Sequence, residues 1–242
     1  MSQQIELIDR LRGGLIASAQ AYPGEPMRDS HTMAHVAQSC EAGGAVAIRA
    51  QGIADCALFH ERLSVPVIGL WKDDIPDSPV FITPTLRHAL VVAATGVEII
   101  ALDGTRRARP DGLSLAETMQ QIKSFYPEVL IMADCGSLED ALAAEEAGAD
   151  LLGTTLAGYT GEREKTSGPD YELVTDVVNR VDTPVIAEGR IHTPEAAARM
   201  LRLGAHAVCV GTAITHPRSI TGWFVAALAA QAAPAEQAED VL

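Results

Sequence analysis

Pro184-Val-Ile-Ala-Glu-Gly-Arg-Ile191, followed after a helical stretch by Gly204-Ala-His-Ala-Val-Cys-Val-Gly211, reads as strand, loop, helix and strand. Residues 185–187 form a short apolar run that closes on an acid and a glycine. Thr193-Pro194-Glu195 carries the marks of a helix start: an N-cap hydroxyl, proline at the first helical position and an acid in the first turn. Gly204 stops that helix, and residues 207–210 make the next strand. Two consecutive buried strands that each end in glycine, at Gly189 and Gly211, place backbone N–H groups at one rim of a parallel sheet, where an anion such as phosphate can be held. One acid, Glu188, stands beside that rim.

The same unit repeats towards the N-terminus. Apolar runs at residues 14–20, 45–49, 67–72, 99–103, 129–134 and 151–155 alternate with helical patterns over 30–41, 53–63, 86–95, 114–125, 138–147 and 171–180. With the two strands of the opening stretch, the count is eight. This predicts an α/β fold, a (β/α)8 TIM barrel, occupying residues 1–230 as one domain. A short N-terminal helix over residues 3–12, with Ile5, Ile8 and Leu11 on one face, is placed to plug the barrel's N-terminal mouth. An open doubly wound sheet is the alternative. Against it, Gln20, Arg49, Lys72, Asp103, Asp134, Thr155, Glu188 and Gly211 all fall at strand C-terminal ends, and those ends meet at a single rim only in a closed barrel. Any one of them taken alone can equally be a polar residue emerging into solvent.

Composition narrows the partners. The chain has 242 residues, 48% of them hydrophobic, and a formal net charge of −14. That charge argues against nucleic acid and anionic membranes, so any phosphate must be held by local donors. Cys40, Cys56, Cys135 and Cys209 show no C-x-x-C spacing and read as reduced thiols in a cytoplasmic protein. The start, Met-Ser-Gln-Gln-Ile-Glu, lacks the basic residues of a secretory segment, and no apolar run is long enough to span a membrane. No metal site is expected, because the seven histidines lack paired ligand spacing. His31, His35, His60 and His88 are read as surface residues on helices. Beyond residue 230 the Ala-rich end loses periodicity, and 231–242 is read as a flexible tail. Gly158-Tyr-Thr-Gly-Glu-Arg-Glu-Lys-Thr-Ser-Gly168 is a long, charged loop after the sixth strand, either a lid or a plain surface loop.

Lys72 ends an apolar strand, where partial desolvation would lower its pKa and free the amine as a base. Glu188 could be pushed up by burial or down by Arg49 and Arg190. An amine and a carboxyl facing one small substrate suit removal and return of a proton on carbon. The same pair could instead be an ion pair tying strands together.

These residues also lie in a recognisable series. Gly14-Leu-Ile-Ala-Ser-Ala-Gln-Ala21, Ala47-Ile-Arg-Ala50, Pro66-Val-Ile-Gly-Leu-Trp-Lys72, Ile82-Thr-Pro-Thr85, Ala101-Leu-Asp-Gly-Thr105 with Arg107 and Arg109-Pro110, Met132-Ala-Asp134, Gly153-Thr-Thr-Leu-Ala-Gly-Tyr-Thr160 and Ala187-Glu-Gly-Arg190 occur in that order. From about residue 14 to residue 217 the chain resembles the N-acetylmannosamine-6-phosphate 2-epimerase family of sialic acid catabolism. The resemblance implies a cofactor-independent isomerase that interconverts N-acetylmannosamine 6-phosphate and N-acetylglucosamine 6-phosphate. It puts the catalytic pair on Lys72 and Glu188 and the sugar contacts on Gln20, Arg49 and Asp134. The phosphate then falls to Gly189, Arg190, Gly211 and Thr212. His216 stands where the family pattern has an arginine. A Schiff-base sugar-phosphate lyase using Lys72, and a non-catalytic sugar-phosphate-binding barrel, are the other readings. Barrels of this kind often pair through their outer helices, so a homodimer is expected.

Overall fold

The computed structural model describes residues 2–232. After α1 (Ser2–Leu11), strands and helices alternate: β1 (Leu15–Ala19), α2 (Ser30–Ala42), β2 (Ala47–Gln51), α3 (Ile53–Arg62), β3 (Val67–Leu70), α4 (Leu86–Ala93), β4 (Ile99–Asp103), α5 (Leu115–Phe125), β5 (Leu130–Asp134), α6 (Leu138–Glu146), β6 (Leu151–Gly153), α7 (Tyr171–Val178), β7 (Val185–Glu188), α8 (Pro194–Arg202) and β8 (Ala207–Val210). A short α9 (Thr212–Thr215) and a final α10 (Pro217–Ala232) follow. All eight strands pair in parallel in chain order, and β8 returns to β1, so the sheet closes into a barrel.

Alternation along each strand sorts the residues. Ile16, Ala47, Ile68, Ile99, Leu130, Leu151, Ile186 and Ala207 point inward and fill the floor of the barrel. Leu11, with Leu7 and Ile8 behind it, packs into the same cluster, so α1 does plug the N-terminal mouth. The outward set, among them Ala17, Ile48, Val67, Ile100, Ile131 and Leu152, packs under the helices. Steps of two along the inward set reach Ser18, Arg49, Lys72, Asp134, Thr155 and Glu188 near the top. The interior therefore turns from apolar to polar towards the C-terminal rim.

The helices start where side chains can cap them. Asp29, Thr85, Ser137, Asp170 and Thr193 each accept a hydrogen bond from an N–H in the first turn of α2, α4, α6, α7 and α8, and Ser114 with Glu117 forms a reciprocal capping box on α5.

Some boundaries differ from the sequence reading. The second strand runs over Ala47–Gln51 and not 45–49, because the exit turn of α2 is still closing there: Gly44 has φ 97° and the Ala45 N–H bonds Cys40 O at 3.0 Å. Arg49 is thus mid-strand and deep in the barrel. The third strand stops at Leu70, and Lys72 continues in an antiparallel bridge with Ile82. A helix over Pro217–Ala232 was not foreseen; it carries exposed Trp223, Phe224, Val225 and Leu228. Of the expected tail, residues 233–242 lie outside the described residues. Among the described residues no helix is long and apolar enough to cross a membrane.

Candidate active site

A cavity of about 540 Å³ opens at the C-terminal rim. Its lining includes Gln20, Arg49, Lys72, Glu188, Gly189, Arg190, Gly211 and Thr212 from the expected set, together with Tyr22, Arg28, Thr155, His192 and His216. Asp134 lies just beneath, fully buried.

The floor is one hydrogen-bonded group of charges. Arg49, 1% exposed, donates from Nη1 to Asp134 Oδ1 at 3.0 Å and to Glu188 Oε2 at 2.9 Å, and from Nη2 to Asp134 Oδ2. Thr155 Oγ1 lies 2.7 Å from Asp134 Oδ1 and 2.9 Å from Glu188 Oε2. Burial would push the Arg49 guanidinium down, but Asp134 and Glu188 outweigh it, and the group stays charged. For Glu188, burial pushes the carboxyl up, opposed by Arg49 and reinforced by Asp134; the net direction is upward. That answers the question the sequence left open.

Thr154 fixes the backbone under Glu188. Its hydroxyl donates to Glu188 O at 2.9 Å and accepts from Glu188 N–H at 3.0 Å, so β7 is clamped where β6 has already ended. Gly153 explains the close fit below: a Cβ there would lie 3.0 Å from Asp134 Oδ1 and 3.1 Å from Thr155 Oγ1.

Lys72 is held from three directions. Its Nζ donates to Gln20 Oε1 at 2.8 Å, and Gln20 in turn donates to Ser18 Oγ at 2.9 Å. The Tyr22 ring lies 5.2 Å from Nζ. Trp71 and Asp73, its chain neighbours, bond across to Thr83 and Phe81: Thr83 N–H to Trp71 O at 2.7 Å and Asp73 N–H to Phe81 O at 3.0 Å. Burial, then Arg49, lowers the Lys72 pKa to about 8, against the pull of Glu188 and Asp134. The anticipated free amine is therefore accessible near neutral pH.

His88 departs from the sequence reading. It is buried, not on the surface: its ring meets Trp71 at 4.4 Å, Nε2 faces Asp73 at 3.0 Å and Nδ1 lies 2.6 Å from Thr85 Oγ1. It thus braces both neighbours of Lys72. Asp103 also differs from the rim pattern, since its carboxylate bonds Thr105 and Arg107 and does not line the cavity.

The glycines line the same cavity. Among the described residues, the N–H groups of Gly189, Arg190, Gly211 and Thr212 find no protein acceptor. Arg190 takes φ 55° and Gly189 φ 111°. The Arg190 guanidinium is already engaged, donating to Gly168 O, Ala157 O and Thr166 Oγ1 at 2.9, 2.8 and 3.0 Å. What Arg190 leaves unengaged is its backbone N–H. The His216 ring lies 5.4 Å from that of Tyr22, tilted by 46°; burial lowers its pKa, opposed by Glu25 and reinforced by Lys72. Tyr22 and Arg28 were missed because they come from the β1–α2 loop, whose path no periodicity describes.

The family described as "Putative N-acetylmannosamine-6-phosphate epimerase" matches residues 33–230. The chain belongs to this family. A protein of Cutibacterium acnes named "Putative N-acetylmannosamine-6-phosphate 2-epimerase" is 61% identical, covering 92% of this chain and 96% of its own. One of the same name from Caldanaerobacter subterraneus is 46% identical over 92% of this chain and 94% of its own. Among solved structures, the N-acetylmannosamine-6-phosphate 2-epimerase from Clostridium perfringens superposes with a TM-score of 0.88 at 40% identity, covering 91% of this chain and 96% of that one. A thiamine phosphate pyrophosphorylase from Pyrococcus furiosus, at 18% identity and a TM-score of 0.60, shares the fold alone.

Proposed function

We propose that this member of the epimerase family interconverts N-acetylmannosamine 6-phosphate and N-acetylglucosamine 6-phosphate by removing and returning the proton on C2, as a step of amino sugar and sialic acid catabolism in the cytoplasm. The observation that carries the reading is a desolvated amine and a desolvated carboxyl, Lys72 and Glu188, lining one cavity that is also lined by residues with unbonded backbone N–H groups. In the open-chain sugar the C2 hydrogen is α to the C1 aldehyde, so its removal gives an enolate, and a proton returned to the other face inverts the centre. Lys72 and Glu188 are the groups that handle that proton. Gln20, Arg49 and Asp134 orient the sugar, and the buried guanidinium offsets charge that develops on it. Gly189, Arg190, Gly211 and Thr212 hold the phosphate. No cofactor enters this scheme.

The test is proton exchange. Incubated with either sugar phosphate in heavy water, the enzyme should wash deuterium into C2 as NMR follows the two epimers to equilibrium. Absence of exchange would leave a sugar-phosphate-binding barrel. A covalent adduct trapped by borohydride would instead mark Lys72 as a Schiff-base nucleophile. The exposed apolar side chains of α10 support a homodimer formed there; a monomer throughout a sedimentation-velocity concentration series would rule it out.

A further inference from the structure

Thr155 stands between two carboxylates with one proton to give. Its Oγ1 is 2.7 Å from Asp134 Oδ1 and 2.9 Å from Glu188 Oε2. Arg49 Nη1 approaches the same two oxygens at 3.0 and 2.9 Å. A hydroxyl supplies a single donor. Were both carboxyls ionised, Thr155 could donate to one of them and would face the other lone pair to lone pair at hydrogen-bonding distance. Nothing else nearby resolves that contact. The charged and titratable groups around Glu188 are Arg49 on β2, Asp134 on β5, Cys209 across the ladder on β8, and Lys72 and Tyr22 at the ends of the β3 and β1 segments. Arg49 already donates to Glu188, and Lys72 Nζ donates to Gln20.

The contacts close if one more proton is present. Asp134 takes both terminal nitrogens of Arg49, the arrangement that favours a carboxylate. Asp134 is also the nearer acceptor for Thr155. The proton then belongs on Glu188 Oε2, which donates to Thr155 Oγ1 while Thr155 donates onward to Asp134 Oδ1. We propose that Thr155 is a positioning residue that holds Glu188 as a carboxylic acid in the resting site by accepting its proton's hydrogen bond. Burial by itself raises the Glu188 pKa, which favours the acid whichever way the Thr155 hydroxyl points. A hydroxyl that donated to Glu188 would do the opposite and favour the carboxylate.

This inference rests on the proposed epimerisation and deepens it. With Glu188 an acid and Lys72 a free amine, one turnover is balanced: the amine takes the C2 proton and becomes an ammonium, while Glu188 gives its proton to the substrate and becomes a carboxylate. The two charges cancel, and Thr155 can turn to donate to the new carboxylate while Arg49 remains on both acids.

The experiment compares Thr155→Val, which keeps the shape and loses the hydroxyl, with Thr155→Ser, which keeps it. Infrared difference titration of the wild type should show a protonated-carboxyl stretch at neutral pH that Glu188→Gln removes. In Thr155→Val that band should titrate at lower pH, and kcat should fall at least about tenfold with KM changed far less, while Thr155→Ser restores both. A Glu188 band that titrates at higher pH in Thr155→Val would mean that Thr155 donates to Glu188, and would overturn the proposal. So would an unchanged band and pH profile, or a wild type with no band that Glu188→Gln removes, a result that stands even if the valine variant does not fold. A wild type that exchanges no deuterium at C2 would instead sink the epimerase reading, and the infrared result would still judge Thr155.

Discussion

Lys72 shows what burying an amine costs at the scale of one residue. Burial drives its pKa down to about 8, so kcat/KM is expected to rise with pH through about 8, as the amine becomes free to act as base. Lys72→Ala should lose at least about a hundredfold in turnover, within the range of general acid–base contributions. The same shift bears on stability. The folded pKa lies below the ordinary lysine value of 10.5, so the unfolded chain binds more protons between the two. The destabilisation is therefore fully present below about pH 8 and disappears as pH rises towards the ordinary value. Its upper limit is about 3 kcal/mol. Lys72→Met should melt above the wild type at pH 7, with the gap closing in alkali; calorimetry giving an equal or lower Tm would mean that the amine is not desolvated. Gly153 makes the complementary case. A methyl group there lies 2.6 Å from Met132 Cε, which can swing away, but also within 3.0 Å of Asp134 Oδ1 and 3.1 Å of Thr155 Oγ1, which are tied to Arg49 and to each other. Gly153→Ala should cost about 1–3 kcal/mol and most of the activity. If urea titration and turnover both match the wild type, the floor is looser than described.

Among the elements, the loop after β6 depends most on its neighbours. It has no apolar run of its own, yet Arg190 holds it at Ala157, Thr166 and Gly168, Arg106 holds Glu162 at 2.6 Å, and Arg163 pairs with Asp170 at 3.0 Å. The planar fork of Arg190 reaches three acceptors at once, which a lysine ammonium at the end of a flexible stem does not reproduce. Arg190→Lys is expected to release residues 158–168 to limited proteolysis and to raise KM several-fold, with global melting little changed. Unaltered cleavage in that loop would show that Arg106 and Arg163 suffice to hold it. On the other side of the cavity, His88 on α4 performs a similar service for the Lys72 segment through Trp71 and Asp73.

For the whole molecule, the issue is how a chain of net charge −14 holds an anion. Long-range attraction is excluded, so an anion can be held only by local donors, which in the proposed scheme are the rim N–H groups. Calorimetric titration should therefore find the 6-phosphate sugar bound far more tightly than the free sugar. Gly211→Asp should abolish that preference while leaving free-sugar binding alone. The Cβ at 211 would meet Ser18 Cβ at 3.3 Å, a contact that a small shift relieves, so loss of phosphosugar binding in a variant of normal melting is the meaningful outcome. Equal wild-type affinity for the two sugars would take the phosphate out of the scheme.

Much of this molecule was legible along the chain. Repeated apolar runs closed by caps and glycines gave eight strands, and β4 and β8 fell on the residues expected, because burial and capping act within a dozen neighbours. The recurrence of polar residues at expected strand ends gathered Gln20, Lys72 and Glu188 around one cavity before any pairing was known, whereas Arg49 lies mid-strand in its floor and Asp134 just beneath. What the sequence could not supply were facts set by contacts between distant segments. Whether Glu188 is raised or lowered depends on burial weighed against Arg49, 139 residues away. His88 looked like a surface residue because α4 has no sign of what packs on it, and Asp103, alike in pattern to Asp134, found Arg107 and not the cavity. Arg190 turned its guanidinium to a loop no motif ties to it. The sequence alone determined the barrel and the polar residues that its strand ends carry, since both follow from periodicity and residue type. Protonation, bracing and the choice of partner for each charge were decided by tertiary structure alone, because they follow from distances and desolvation that exist only once the barrel has closed.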